Sequence, residues 1–321
     1  MNYYIFGGSG FIGSHLVSCI REQNTTTTIY NLDIVKSNHN NQSIFIRCDV
    51  RNLIEIDVSV SSNDVIFNLA AIHRSPGHPD YEYFETNIHG AENVCAFAEK
   101  HGIQKIVFTS SIAPYAASEE LKEESTLPTP NTPYGISKLI AEKIHEIWQA
   151  RNSSRRLLIV RPGVVFGKGE NGNFSRLYWA IRKRSFFYAG RTDTIKACIY
   201  VKDLVHFMLT MIGKQQLGTE LFNCGFYPAY SIKQIVEAIK KATGLKRNII
   251  KINASLLTAT ASVISVLGGK KLGIHPARVK KVMISTNISS KKLALSGYCF
   301  KYTFEEALTD WFNDNNKQSL E

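Results

Sequence analysis

The sequence predicts an α/β protein in which a doubly wound parallel sheet carries a smaller, interleaved second lobe. Three observations lead there. Short β-like runs alternate with amphipathic helical patterns through the first half of the chain. The first of those runs ends in a glycine-rich turn that opens a helix. The composition, 44% hydrophobic and 20% charged over 321 residues, is that of a folded soluble chain and excludes disorder, collagen-like repeats and a disulfide mini-scaffold.

In chain order, the strand-like runs are 3–6, 27–32, 43–48, 65–69, 105–109 and 157–161, and helical patterns cover 14–21, 88–101 and 133–151. Strands separated by helices give βαβ units, hence a parallel sheet covered on both faces. The polar stretches 24–28 and 37–43 read as connections. Beyond Val165 the texture changes. A turn-rich loop at 167–173 leads into a basic helical stretch at 174–184, and 199–212 reads as a strand and helix returning to the core. Residues past 228 alternate helical and extended pieces. The expected division is a core of 1–165, joined by 199–227, and a substrate-binding lobe of 166–198 and 228–321.

Charge is distributed unevenly. Residues 1–150 hold 10 Lys and Arg against 17 Asp and Glu, whereas 151–321 hold 28 against 10. A basic lobe on an acidic core points to an anionic partner. No nucleic-acid motif accompanies it, so a phosphorylated small molecule is expected and nucleic acid is not. The six cysteines form no C-x-x-C pair, which argues for reduced thiols in a cytoplasmic protein. His73 and His78 lack a third ligand in sequence reach, so no metal site is expected. Met1-Asn2 runs directly into the first strand without an export signal, and the uncharged stretch 252–269 is too polar for a membrane span.

The chemistry begins at Gly7-Gly8-Ser9-Gly10-Phe11-Ile12-Gly13. Gly7 permits the tight turn, Gly10 lets backbone N–H groups approach a pyrophosphate, and Gly13 lets the helix pack on the sheet. Asp33 closes a second strand twenty residues after Gly13. A carboxylate there accepts from ribose hydroxyls and repels a 2′-phosphate, which selects NAD over NADP. A second motif, Tyr134-Gly135-Ile136-Ser137-Lys138, follows a strand ending in Ser110-Ser111. Positions i and i+4 share a helix face, so Tyr134 and Lys138 stand together. A nearby ammonium favours the phenolate and makes the tyrosine an acid or base near neutral pH.

These residues resemble the extended short-chain dehydrogenase/reductase family, whose members share a Rossmann-type core, and in particular its NAD-dependent sugar epimerases and dehydratases. The resemblance continues through Cys48-Asp49-Val50, Asn68-Leu69-Ala70-Ala71, Thr86-Asn87, Arg161-Pro162 and Tyr200-Val201-Lys202-Asp203. It implies that Asp49 and Val50 sit by the adenine, that Ala70 and Ala71 line the cofactor groove, and that Asn87 orders the site. It also implies Ser111 rather than Ser110 as the catalytic hydroxyl, beside Tyr134 and Lys138. On the substrate side it implies Asn173, Lys196 and Arg278. Departures are Val164 where many members carry Asn, Lys196 where Arg is usual, and Pro114 and Ala116 after the serines. Lysine keeps the charge and loses the bidentate fork.

The sequences Ala71-Ile72-His73-Arg74, Gly172-Asn173-Phe174 and Arg278-Val279-Lys280-Lys281 are also similar to a bacterial subgroup that epimerises N-acetylglucosamine on undecaprenyl diphosphate. In that likeness the apolar stretch 256–267, flanked by lysines, is either a buried helix of the substrate lobe with a solvated lysine edge or a segment that touches the anionic inner-membrane surface from the cytoplasmic side. The resemblance implies a homodimer formed through 88–101 and 133–151. The leading expectation is a 4-epimerase acting on a diphosphate-linked hexose or N-acetylhexosamine through a 4-keto intermediate, in surface polysaccharide synthesis. The carrier is left open between uridine and polyprenol. A 4-keto-sugar reductase or dehydratase and a non-catalytic NAD(H) sensor are the alternatives. Asp33 argues against an NADPH-dependent reductase, Ile112-Ala113 lacks the Asp-Glu pair of a dehydratase, and a sensor has no need of an activated phenol.

Overall fold

The computed structural model describes residues 1–37, 42–73, 77–214, 216–255 and 283–321. Its main sheet has seven strands: β1 (Tyr3–Phe6), β2 (Ile29–Asp33), β3 (Ile44–Arg47), β4 (Val65–Asn68), β5 (Lys105–Thr109), β7 (Arg156–Pro162) and β12 (Gly218–Cys224). They are ordered β12-β7-β5-β4-β1-β2-β3, with every pairing parallel. The order reverses between β1 and β4, the crevice where doubly wound sheets bind ligands. The doubly wound α/β prediction therefore holds.

Alternating strand residues feed two cores, which is why these strands read as unbroken apolar runs. Ile5, Phe67, Val107, Leu158 and Val160 face one side, under α1 (Phe11–Gln23) and the later helices α6 (Val201–Lys214) and α7 (Ile232–Thr243). Tyr4, Phe6, Ile66, Ile106, Phe108 and Ile159 face the other, under α3 (Gly90–Lys100) and α4 (Pro133–Ala150). The helix expected at 88–101 starts earlier. A short α2 (Asp80–Phe84) runs through a π-helical turn, Glu85–His89, into α3. The extra residue per turn breaks the 3.6-residue apolar period on which the prediction relied.

The remaining described strands lie outside the main sheet. They are β6 (Ser118–Lys122), β8 (Val164–Phe166), β9 (Tyr188–Ala189), β10 (Ile195–Lys196), β11 (Cys198–Tyr200), β13 (Tyr230–Ser231), β14 (Lys251–Ile252) and β15 (Thr286–Ile288). Four of them form a sheet ordered β13-β10-β15-β6; β11 pairs with β8, and β14 with β9. Helix α5 (Asn173–Arg182) precedes β9, and α8 (Phe304–Asp314) ends the described chain, capped by a reciprocal Thr303–Glu306 box. Among the described residues no helix is long and apolar enough to cross a membrane.

At the start of α6, Asp203 is 0% exposed. Its Oδ1 accepts from the Lys301 N–H at 2.8 Å and from the Tyr298 hydroxyl at 3.4 Å, while Oδ2 has no hydrogen-bond partner among the described residues. Burial pushes its carboxyl up to about 6. Between the ordinary carboxylate value and 6 the folded chain binds more protons than the unfolded one. Stability from this group therefore falls as pH rises through that window, and above it the buried carboxylate costs on the order of 1–3 kcal/mol. Asp203→Asn is expected to flatten the slope of Tm against pH between 4 and 7; a slope equal to wild type would assign the titration elsewhere.

Candidate active site

The glycine turn sits at the C-terminal end of β1. Gly7 has φ +80°, and a Cβ there would stand 2.8 Å from the Ala70 nitrogen. A Cβ at Gly13 would stand 2.4 Å from the Gly7 carbonyl oxygen and 2.6 Å from the Gly8 Cα. Both positions admit only glycine, and the crowding brings the turn, α1 and the Leu69-Ala70 backbone together. Helix α1 begins after Gly10 without a side-chain cap and without an acidic residue in its first turn. Its leading N–H groups, from Phe11 to Gly13, are therefore available to an anion. Asp33 accepts from the Ser9 N–H at 3.0 Å and the Val35 N–H at 3.3 Å, which anchors β2 to the glycine turn and leaves further lone pairs on its carboxylate. An uncapped helix end inside a cradle that any Cβ would fill fits a dinucleotide pyrophosphate, with Asp33 placed for the ribose.

The other expected cofactor residues differ in setting. Asp49 is paired with Arg51 at 2.6 Å, which holds its carboxyl below the usual range. Val50 is 6% exposed, tucked under Gly90, and its carbonyl accepts from Asn93 at 2.8 Å. Ala70 and Ala71 are half-buried beside the glycine turn. Asn87, in the π-helical turn, clamps the Ile72 backbone from both sides: its Oδ1 accepts from the Ile72 N–H at 2.9 Å, and its Nδ2 donates to the Ile72 carbonyl at 3.1 Å. The same Nδ2 lies 2.9 Å from the Ser137 hydroxyl, which in turn donates to the Tyr134 carbonyl at 2.9 Å. The loop after β4 is thereby tied to the first turn of α4.

Helix α4 begins where Thr132 caps the Gly135 N–H and Pro133 occupies the first turn. Gly135 lets it press against the 3₁₀ turn Ala113–Tyr115, since a Cβ there would meet the Ala113 oxygen at 2.7 Å. Three side chains four residues apart then grip the end of β5. The Lys138 ammonium donates to the Thr109 carbonyl at 2.8 Å. The Ser110 hydroxyl donates to Glu142 at 2.5 Å. The Ser111 hydroxyl accepts from the Ala113 N–H at 3.1 Å and stands near enough to the Tyr134 phenol to draw its pKa down. Ser110 is thus committed to a buried carboxylate, and Ser111 is the serine that faces the phenol.

One expectation is corrected. Burial pushes the Tyr134 phenol up to about 12, and only the Ser111 hydrogen bond acts against this. Lys138 does not lower it, because the ammonium is turned to Thr109 and is itself pushed down to about 7 by burial, with Glu142 opposing. The four-residue spacing predicted a shared face, but the direction of the Nζ depends on the carbonyls of β5.

On the substrate side, Asn173 is the first residue of α5 and is exposed. Lys196 lies on β10 and donates to the Ile284 carbonyl at 2.8 Å; burial lowers its pKa, and Glu119 acts against that. Arg278, Arg74, the 256–267 stretch and the Lys280-Lys281 pair lie outside the described residues. Glu142, Tyr115, Asn223 and His145 were not singled out from the sequence. The signal for Glu142 was present, a charge four residues beyond Lys138 on the catalytic face; the others come from elements that only the fold brings near.

Residues 3–225 match the NAD dependent epimerase/dehydratase family. The chain belongs to this family. Its enzymes use NAD, and the cradle above has the shape to hold it. Among curated proteins the chain is similar to the N-acetyl-alpha-D-glucosaminyl-diphospho-ditrans,octacis-undecaprenol 4-epimerase of Escherichia coli O157:H7, at 30% identity over 312 residues, 96% of this chain and 93% of that protein. It is also similar to a UDP-glucose 4-epimerase of Halalkalibacterium halodurans, at 26% identity over 76% of this chain and 81% of that protein. Among solved structures, the UDP-N-acetylglucosamine 4-epimerase from Bacillus cereus has the same fold, with TM-score 0.74, 20% identity, and 98% of this chain and 99% of that one covered. The Thermus thermophilus UDP-glucose 4-epimerase in complex with NAD gives TM-score 0.73 at 19% identity, with 98% of each chain covered.

The cradle makes a direct prediction. A methyl at Gly13 has no room, so Gly13→Ala is expected to cut NAD affinity at least about tenfold. Cofactor content of the purified protein and a titration with NAD measure it; unchanged affinity would remove this turn from the binding site.

Proposed function

We propose that this chain is a 4-epimerase of an N-acetylhexosamine carried on a diphosphate, and that the carrier is a polyprenol. The observation that carries the reading is the 30% identity to the undecaprenol-linked epimerase along 96% of this chain. That likeness runs into the residues past 228 as well as the main sheet. The likeness to the Halalkalibacterium UDP-glucose 4-epimerase covers 76% of this chain. A uridine carrier is the second reading, favoured by the number of UDP-sugar epimerases among the relatives.

Ser111 binds and orients the sugar oxygen at C4, and Tyr134 takes the proton from that hydroxyl as the C4–O bond becomes a carbonyl. When bound, NAD would supply the hydride acceptor and donor for C4, and turning of the 4-keto sugar between the two transfers would present its opposite face. Tyr134 then gives the proton back. Lys138 holds the carbonyl end of β5, which fixes Ser111 opposite the phenol. In the free protein the phenol sits near 12. Tyr134 takes the substrate proton as the phenolate, which burial disfavours and the Ser111 hydroxyl favours. Asn173, Lys196 and Arg278 are assigned to the sugar and its diphosphate.

The same reading places the enzyme in surface polysaccharide synthesis, at the cytoplasmic face of the membrane. Exposed Arg176, Arg182, Lys183 and Arg184 on and after α5 support peripheral contact with an anionic leaflet. A homodimer through α3 and α4 is supported by Ile136, Ile140 and Ile147, which are 37%, 39% and 55% exposed along α4. Ile140→Glu with Ile147→Glu is expected to halve the particle mass in sedimentation; a wild-type chain that is already monomeric would refute the dimer.

Proton NMR of NAD-loaded protein tests the activity. With N-acetylglucosaminyl diphosphopolyprenol the galacto anomeric signal is expected, with no solvent deuterium at C4. Conversion of UDP-N-acetylglucosamine alone would transfer the assignment to uridine. Tyr134→Phe is expected to lose at least about a thousandfold in kcat while NAD binding survives; an unchanged rate would sink the catalytic assignment.

A further inference from the structure

Beneath the Ser111, Tyr134 and Lys138 cluster lies a buried polar chain that the reaction above does not use. Glu142 is 0% exposed and one helical turn beyond Lys138. Its two oxygens accept from Arg161 Nε at 2.8 Å and Nη2 at 2.6 Å, and Oε1 also accepts from Ser110 at 2.5 Å. Arg161 is 3% exposed, donates from Nη1 to the Tyr115 hydroxyl at 2.6 Å and lies over that ring at 4.7 Å. Tyr115 donates onward to Asn223 at 3.1 Å, and Asn223 to the Ser289 carbonyl at 3.2 Å. The chain thus runs from the catalytic helix through β7 and β12 into the second lobe.

A bare salt bridge in this position adds little stability, because desolvation of the two charges offsets their attraction. Its placement says more. Thr109, Ser110 and Ser111 are consecutive: Lys138 binds the first, Glu142 binds the second, and the third acts on the Tyr134 phenol, all three partners being on the 134, 138, 142 face. Freeing Ser110 would let the β5 end rotate and carry Ser111 away from the phenol. The groups facing Lys138 are Glu142 and His145 on its own helix, and the Thr109 carbonyl and the Phe108 ring of β5, the ring 4.8 Å from Nζ. Arg161 of β7 and Tyr115 of the 3₁₀ turn lie behind Glu142. His145 stacks on Phe108, bonds to Ala141 and Asn68, and is pushed down to about 4 by burial, so it is neutral. Among the described residues, Glu142 is the anion that acts on the Lys138 ammonium.

We propose that Glu142 is a positioning residue for the reaction: its carboxylate locks the Thr109-Ser110-Ser111 strand end in register against α4, one helical turn beyond Lys138. The proposal builds on the roles assigned to Ser111, Tyr134 and Lys138 above, so it needs a readout that does not depend on substrate. Carbon-13 NMR of the lysine Cε groups, with the Lys138 signal assigned by its loss in Lys138→Arg, follows that ammonium directly. In wild type it is expected to titrate at about 7. In Glu142→Gln the midpoint is expected to fall by at least about one pH unit. The alkaline limb of kcat should move down by the same amount with KM within about twofold, and Glu142→Asp should recover part of the shift. Ser110→Ala is expected to lower kcat at least about tenfold with the Lys138 midpoint unmoved, because it cuts the register bond alone.

A folded Glu142→Gln protein whose Lys138 midpoint and pH limb match wild type overturns the proposal. Should that variant fail to fold, Glu142→Gln paired with Arg161→Met, which leaves no unpaired charge, is read by the same criteria; failure of the pair as well would make the carboxylate purely structural and overturn the proposal too. If the Lys138 midpoint shifts while wild type turns over neither diphosphate sugar, the positioning role stands and the epimerase reading falls.

Discussion

The rest of the site depends on how one face of α4 holds the end of β5. A strand that ends in an open sheet leaves its last carbonyls and side chains without ladder partners, and here they are Thr109, Ser110 and Ser111. Helix α4 supplies a partner for each from positions a helical turn apart, so a single rigid element sets the relative positions of serine, phenol and ammonium. Groups that must stay within tenths of an ångström of their working geometry are best carried this way, because helix and strand are both locked by their own packing. Trp148 and Ala141 on the same helix are buried against the sheet and bear that load.

Burying so much polarity is tolerable only because the network is nearly complete. Glu142, Arg161, Ser110, Tyr115 and Asn223 satisfy one another through short hydrogen bonds, with the Arg161 guanidinium binding the carboxylate through two nitrogens. Asn87 performs a comparable task on the opposite side. It sits in a π-helical turn, a geometry that turns one side chain out of helical register, and from there it reaches the loop after β4 and the start of α4 together. Cofactor groove and catalytic helix are therefore joined by side chains rather than by backbone alone.

The second lobe reaches the same region from the other end. Strand β6 follows the serine loop directly and joins β15, β10 and β13 in one sheet, so Lys196 on β10 belongs to a sheet that starts seven residues beyond Ser111. Glu119 on β6 binds Ser285 and Arg191, which stitches the first half of the chain to the second. At this seam an acidic residue of the first half of the chain, Glu119, pairs with a basic residue of the second, Arg191, at 3.0 Å.

How much of this was legible in the sequence follows from the range of the forces involved. Strand runs such as 105–109, the glycine turn and the Tyr134–Lys138 spacing are local patterns, each dictated by backbone sterics or helical period within a few residues, and the sequence by itself determined them. The same holds for family membership, which rests on those motifs in order. The start of the α2–α3 segment was misread because a π-helical turn breaks the period that the eye follows. The commitment of Ser110 to Glu142, the direction of the Lys138 ammonium, the rise of the Tyr134 phenol and the Asn87 clamp were decided only by tertiary structure. Desolvation and hydrogen-bond partnership depend on which distant segments close over a group, and residues 19 to 50 positions apart in the chain carry no local mark of meeting.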